Sequence, residues 1–134
     1  MAARVDTFTP PDVMTPVGPY SHIAKCGEFI MISATAGVDP KTNELAGPDV
    51  ATQTTQILSS FETMLQSVGS DFEHVLHINV YLADMDDFAE MNGAYAAKMG
   101  ECKPARTAIG VTGLPKSGAK VTMNLTAVAS QASE

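Results

Sequence analysis

Apolar residues recur along this chain at two periods, and the changes between them mark its elements. Glu28-Phe29-Ile30-Met31-Ile32-Ser33-Ala34 is nearly all apolar and rich in β-formers. It predicts a strand buried on both faces. Asp49, after Gly47-Pro48, is a good N-cap. Beyond it Ala51, Thr54, Leu58, Phe61, Leu65 and Val68 fall three or four apart, with Ile57 and Met64 beside them. This spacing predicts one amphipathic helix, ended by Gly69. Over residues 74–82 the period drops to two, with Leu76, Ile78, Val80 and Leu82 on one face and Val75, His77, Asn79 and Tyr81 on the other. That is a strand. Asp86 is the expected cap of a second helix reaching about Met99, with Phe88, Met91, Tyr95 and Met99 as its stripe. Residues 105–111 and 120–129 predict two more strands, the second alternating Val121, Met123, Leu125 and Ala127 against Thr122, Asn124 and Thr126.

Proline and glycine punctuate the remainder. Residues 10–19, from Pro10-Pro11 to Pro16-Val17-Gly18-Pro19, cannot be helix and read as an extended or looped arm. Residues 20–25 can form a short strand, Gly27 a turn, and Asp39-Pro40-Lys41-Thr42-Asn43 another turn. The order is strands, helix, strand, helix, strands, within a single domain over residues 1–134. Two helices cover one face of one sheet. The other face carries small and apolar residues and must meet something, most simply another subunit.

Composition narrows the function. Hydrophobic residues are 45% and charged residues 17%, so the chain is globular and not disordered. Lys+Arg is 8 against Asp+Glu 15, a net charge of -7. That field repels phosphate backbones and anionic lipid, which argues against nucleic acid and membrane as partners. No apolar run approaches the ~20 residues of a membrane span. Residues 1–10 carry no apolar signal-like core, so a cytoplasmic location is expected. Cys26 and Cys102 lack CxxC spacing. They read as buried or half-buried thiols, with a disulfide as the alternative.

Candidate chemistry is sparse. Arginine occurs only as Arg4, in the arm, and Arg106. Arg106 enters an apolar strand behind Pro104. Its planar fork fits a carboxylate bidentately. The plainer alternative is an ion pair with one of the chain's own acids. Gly18-Pro19-Tyr20-Ser21-His22 clusters a phenol, a hydroxyl and an imidazole behind a rigid loop. Asn92-Gly93 inside the second helix opposes helix propensity and suggests a close approach or a needed side-chain bond. His74 and His77, three apart in a strand, point to opposite faces and do not suit a metal. No cofactor motif is present.

Several segments follow one another in order: Gly18-Pro19-Tyr20-Ser21, Ile32-Ser33-Ala34-Thr35, Tyr81-Leu82-Ala83-Asp84-Met85, Met91-Asn92-Gly93-Ala94-Tyr95, Pro104-Ala105-Arg106 and Gly113-Leu114-Pro115. The set resembles the RidA family, also called YjgF or liver perchloric-acid-soluble protein, over residues 16–129. The resemblance implies a single RidA-type domain behind an extended N-terminal arm over residues 1–16. It implies an α+β, chorismate-mutase-like fold with two helices on one face of a mixed sheet. It also implies a homotrimer with a central barrel and three clefts between subunits. The implied activity is hydrolytic deamination of small reactive 2-imino and 2-enamino acids to 2-keto acids and ammonia, without cofactor or metal. Arg106 matches the family arginine that binds the substrate carboxylate. Tyr20 and Asn92 match cleft residues. Ser33 and Ala34 fall in the segment whose backbone serves the ligand.

Two departures bear on activity. The family's Ser-Gly-Gln is here Ser33-Ala34-Thr35, which puts a Cβ where glycine allows close approach. The glutamate thought to position or activate the hydrolytic water is replaced by Thr122, or by Asn124 after a register slip of two. Neither accepts a proton near neutral pH. The alternatives are therefore a non-catalytic trimer binding small carboxylates such as 2-keto acids, and a chaperone-like interaction protein. An endoribonuclease, a label borne by some relatives, sits poorly with the acidic charge.

Overall fold

A computed structural model describes residues 3–130. Strand β1 (Asp6–Phe8) lies in the N-terminal arm and pairs antiparallel with β2 (Ile23–Cys26). A turn at Gly27, with φ +59, leads into β3 (Phe29–Ala36). The short pair β4 (Val38–Asp39) and β5 (Glu44–Leu45) follows. Then come α1 (Val50–Ser67), β6 (Val75–Leu82), α2 (Phe88–Met99), β7 (Ala105–Gly110) and β8 (Val121–Val128). The main sheet runs β1-β2-β3-β8-β6-β7, antiparallel except for the β6–β7 pair.

The topology explains why both helices share a face. Strands β3 and β6 run parallel, because each is antiparallel to the β8 between them. Helix α1 therefore serves one β-α-β crossover and α2 the next, both stepping toward β7. Crossovers of one hand and one direction lay their helices on one face. Between helices and sheet lie Ile57, Phe61, Met64, Ile78, Leu82 and Met123, all fully buried.

Asp49 caps α1 as expected, its carboxylate accepting from the Thr52 N–H at 2.9 Å. Four expectations need correction. Within the chain β3 is buried on one face only, with Phe29 58% and Met31 50% exposed. Alternation in β6 breaks at its start, where a register shift between Val75 and His77 buries Val75 and exposes Leu76. His74 lies before that strand, in a 3₁₀ turn, with Nδ1 2.6 Å from the Asp71 carboxylate. Asp86 is not the cap of α2 either. It sits in a 3₁₀ turn, Met85–Asp87, whose leading Asp84 accepts from the Asp86 N–H, and Asp87 holds the cap position. Three acids within four residues, Asp84, Asp86 and Asp87, made the cap ambiguous.

Candidate active site

A bulge in β3 shapes the site. Ile32 pairs with Leu125 and Thr35 with Met123, so Ser33 and Ala34 together oppose Asn124. The extra residue bends the strand and reverses which positions face the core. Before the bulge Ile30 and Ile32 point to the helices; after it Thr35 does, fully buried. Ala36 is thereby turned to the other face, opposite Thr122.

The N-terminal arm folds over this end of the sheet. It encloses a cavity of about 270 Å³ lined by Met14, Val17, Tyr20, Ser33, Ala34, Ala36, Pro115, Lys116 and Thr122. The roof is pinned from below by His22. Its buried Nε2 lies 2.6 Å from the Met14 carbonyl, and its ring stands edge-on to Tyr20 at 5.9 Å. An Nε2–H donated to that carbonyl leaves Nδ1 as an acceptor, and Nδ1 is buried without a partner. Tyr20 in turn accepts the Val17 N–H on its hydroxyl at 3.2 Å. Ser33 is already committed: its N–H donates to the His22 carbonyl and its hydroxyl to the Ser21 carbonyl. Thr122, on β8, is 7% exposed and faces the cavity.

Arg106 lies elsewhere. In β7 it is in register with Ile78, a core-facing position of β6, so it points to the helix side of the edge strand. Thr122 pairs with Tyr81, on the opposite face. The Arg106 guanidinium stands over two rings of α2, 4.8 Å from the Tyr95 centroid and 5.8 Å from that of Phe88. Cation–π contact on two rings fixes a planar cation without neutralising it. It forms no ion pair among the described residues. The alternative of a bond to the chain's own acids is not what the fold builds. Asn92 is four residues after Phe88 and three before Tyr95, so it shares their helix face and is half-buried. Close approach at Gly93 is not found, since a Cβ there would meet nothing within 4 Å. Burial pushes the Tyr95 phenol above its usual range, and Arg106 pulls against that. Its hydroxyl is buried with no partner.

The candidate residues thus fall into two groups, two candidate half-sites. Tyr20, Ser33, Ala34 and Thr122 share one cavity; Arg106 and Asn92 share the aromatic platform of α2. Phe88 and Tyr95 were visible in the sequence only as a helix stripe, and nothing there showed that Arg106 would lie on them. Met14 and Lys116 also line the cavity, and no sequence signal marked them, because a loop and a turn bring them in. Cys26 and Cys102 are half-buried and unpaired.

Comparison with known proteins accords with this architecture. Residues 11–129 match the family model described as Endoribonuclease L-PSP. A RutC family protein of Pyrococcus horikoshii is 45% identical over 101 residues, covering 75% of this chain and 80% of that protein. The 2-iminobutanoate/2-iminopropanoate deaminase of Bos taurus is 36% identical over 102 residues, covering 76% and 74%. The crystal structure of RidA from an Antarctic Psychrobacter superposes with a TM-score of 0.86 at 31% identity, over 92% of this chain and 98% of that one. Sequence and fold agree along nearly the whole described length, and the chain belongs to the RidA (YjgF, L-PSP) family.

Proposed function

We propose that this protein is a hydrolytic deaminase of small 2-imino and 2-enamino acids. The observation that carries the reading is the unpaired Arg106 guanidinium on its Phe88–Tyr95 platform, in a chain of net charge -7. A fixed, half-buried fork without an acid is prepared for a carboxylate from outside. The relative from Bos taurus is named for deamination of such acids.

The two half-sites lie on opposite faces of one sheet, so one copy cannot close on a small molecule. A homotrimer resolves this by setting the Arg106 edge of one copy against the Thr122 cavity of the next. Arg106 and Asn92 then hold the carboxylate end, and Tyr20 with the Ser33-Ala34 bulge shapes the reacting end. Water adds through oxygen to C2 of the protonated imine, and the C=N electron pair passes to nitrogen. The carbinolamine loses its nitrogen as ammonia and a hydroxyl proton to solvent, leaving the 2-keto acid. Thr122 can orient the water by a hydrogen bond and cannot take its proton. Holding an already reactive imine in a cavity still accelerates its hydrolysis, at a lower rate than with a base.

One observation favours a second reading. Among the described residues no carboxylate lines the Thr122 cavity. Without a base, the same cleft serves as a binding module for 2-keto acids.

The test is ammonia and keto-acid release from a 2-imino acid generated in situ. Faster release with wild type than in buffer, lost in Arg106→Ala, is expected. Equal rates with wild type and buffer, together with Arg106-dependent binding of a 2-keto acid, establish the binding module instead.

A further inference from the structure

The Thr122 cavity contains one charged group, and it is a cation. Lys116 stands in the turn before β8, closed by the Ala119 N–H donating to its carbonyl at 3.0 Å. It is half-buried. It forms no ion pair among the described residues. Among the described residues the only acid lining either cavity that Lys116 borders is Glu44, and the two do not pair. The walls around Lys116 are otherwise apolar, from Met14, Val17, Ala36 and Pro115, or neutral hydroxyls. A half-buried lysine lining apolar walls, with no acid paired to it, offers its charge to an anion from outside.

We propose that Lys116 receives a second carboxylate, at the far end of the substrate, and that the preferred substrates are short 2-imino dicarboxylates. This rests on the reading above, in which Arg106 takes the carboxylate beside the imine. Volume supports a short chain, because about 270 Å³ lies below the ~300–1,000 Å³ of pockets for drug-sized ligands. Charge supports a local device. The protein's net -7 field opposes a dianion, so any preference for one must come from a nearby cation. The neutral Thr122 keeps Lys116 available, whereas a carboxylate at that position would compete with the ligand for it.

Calorimetry on the full assembled chain tests this with two stable keto-acid probes, 2-oxobutanoate and 2-oxoglutarate. Wild type is expected to bind 2-oxoglutarate roughly tenfold more tightly or better, the scale of one charge-assisted contact. In Lys116→Met the ratio of the two affinities should collapse toward one. Lys116→Arg should retain it, and Lys116→Glu should reverse it. A wild-type ratio at or below one overturns the proposal, as does a ratio that Lys116→Met leaves intact. In either case Arg106-dependent binding of 2-oxobutanoate would keep the underlying reading alive. If neither probe binds wild type, that reading falls and takes the proposal with it.

Discussion

Arg106 shows how little a charge alone says about a residue's task. An arginine in an acidic chain has fifteen carboxylates to choose from in the sequence, and it pairs with none among the described residues. Two aromatic rings orient it while leaving its donors open. The opposite economy holds at Thr122, a short neutral side chain that lines the cavity. On the proposed deaminase reading, Thr122→Glu supplies a proton acceptor inside that cavity. Turnover of a 2-imino monocarboxylate, which does not need Lys116, is expected to rise by about 10²-fold or more, the usual worth of a positioned base. Steady-state kinetics of the two proteins measures it, and an unchanged kcat would mean that the position does not face the reacting carbon. Tyr20 and Arg106 were legible as candidates, since their residue types and motif context stand out. Lys116 was not, because a lysine after a turn proline resembles any solvated lysine.

At the scale of elements, local chemistry and packing were read with different success. The start of α1 was legible because one side chain decides it. Asp49 accepts from the N–H and the hydroxyl of Thr52, both at 2.9 Å. These bonds favour the charged carboxylate and lower its pKa below 3.8, the backbone bond most. A lowered pKa means that the cap stabilises the fold fully above 3.8 and loses that contribution as pH falls through the folded value. Asp49→Ala is therefore expected to lower the melting temperature by a few degrees at neutral pH. Thermal melts should show that gap narrowing below about pH 3.8, the ordinary carboxyl value from which the folded group is lowered. A gap that stays constant into acid would show that the charge is not what caps the helix. Bulges were the opposite case. The shift between Ile32 and Thr35 moves Thr35 into the core and Ala36 into the cavity. Period-two patterning cannot announce such a shift, because each half of the strand alternates correctly by itself.

For the whole molecule the decisive fact is what the helices leave uncovered. They cover one face, and on the other Phe29, Met31, Leu76 and Ile109 are each at least 46% exposed. Apolar residues spread over one sheet face mark a surface made for another protein surface. The two half-sites lead to the same conclusion from chemistry, since Arg106 and Thr122 face opposite ways across the sheet. Sedimentation equilibrium is expected to give three times the chain mass of 14.1 kDa. Replacing Met31 and Ile109 with glutamate should shift the mass toward the single chain, and imine hydrolysis should be lost with it. A monomeric wild type would leave both half-sites incomplete.

The sequence by itself determined the layer order, the extents of α1 and β8, and the family. Periodicity, capping and motif order are local, and each can be read without its neighbours. It also singled out Tyr20, Asn92 and Arg106 by residue type and context. Only the tertiary structure decided that these candidates lie in two separate places. It alone set Arg106 on aromatic rings, turned Ala36 into a cavity through a bulge, and brought the arm and the Lys116 turn together around Thr122. Those outcomes depend on which faces of distant strands meet, and pairing register and loop closure fix that only once the chain has folded.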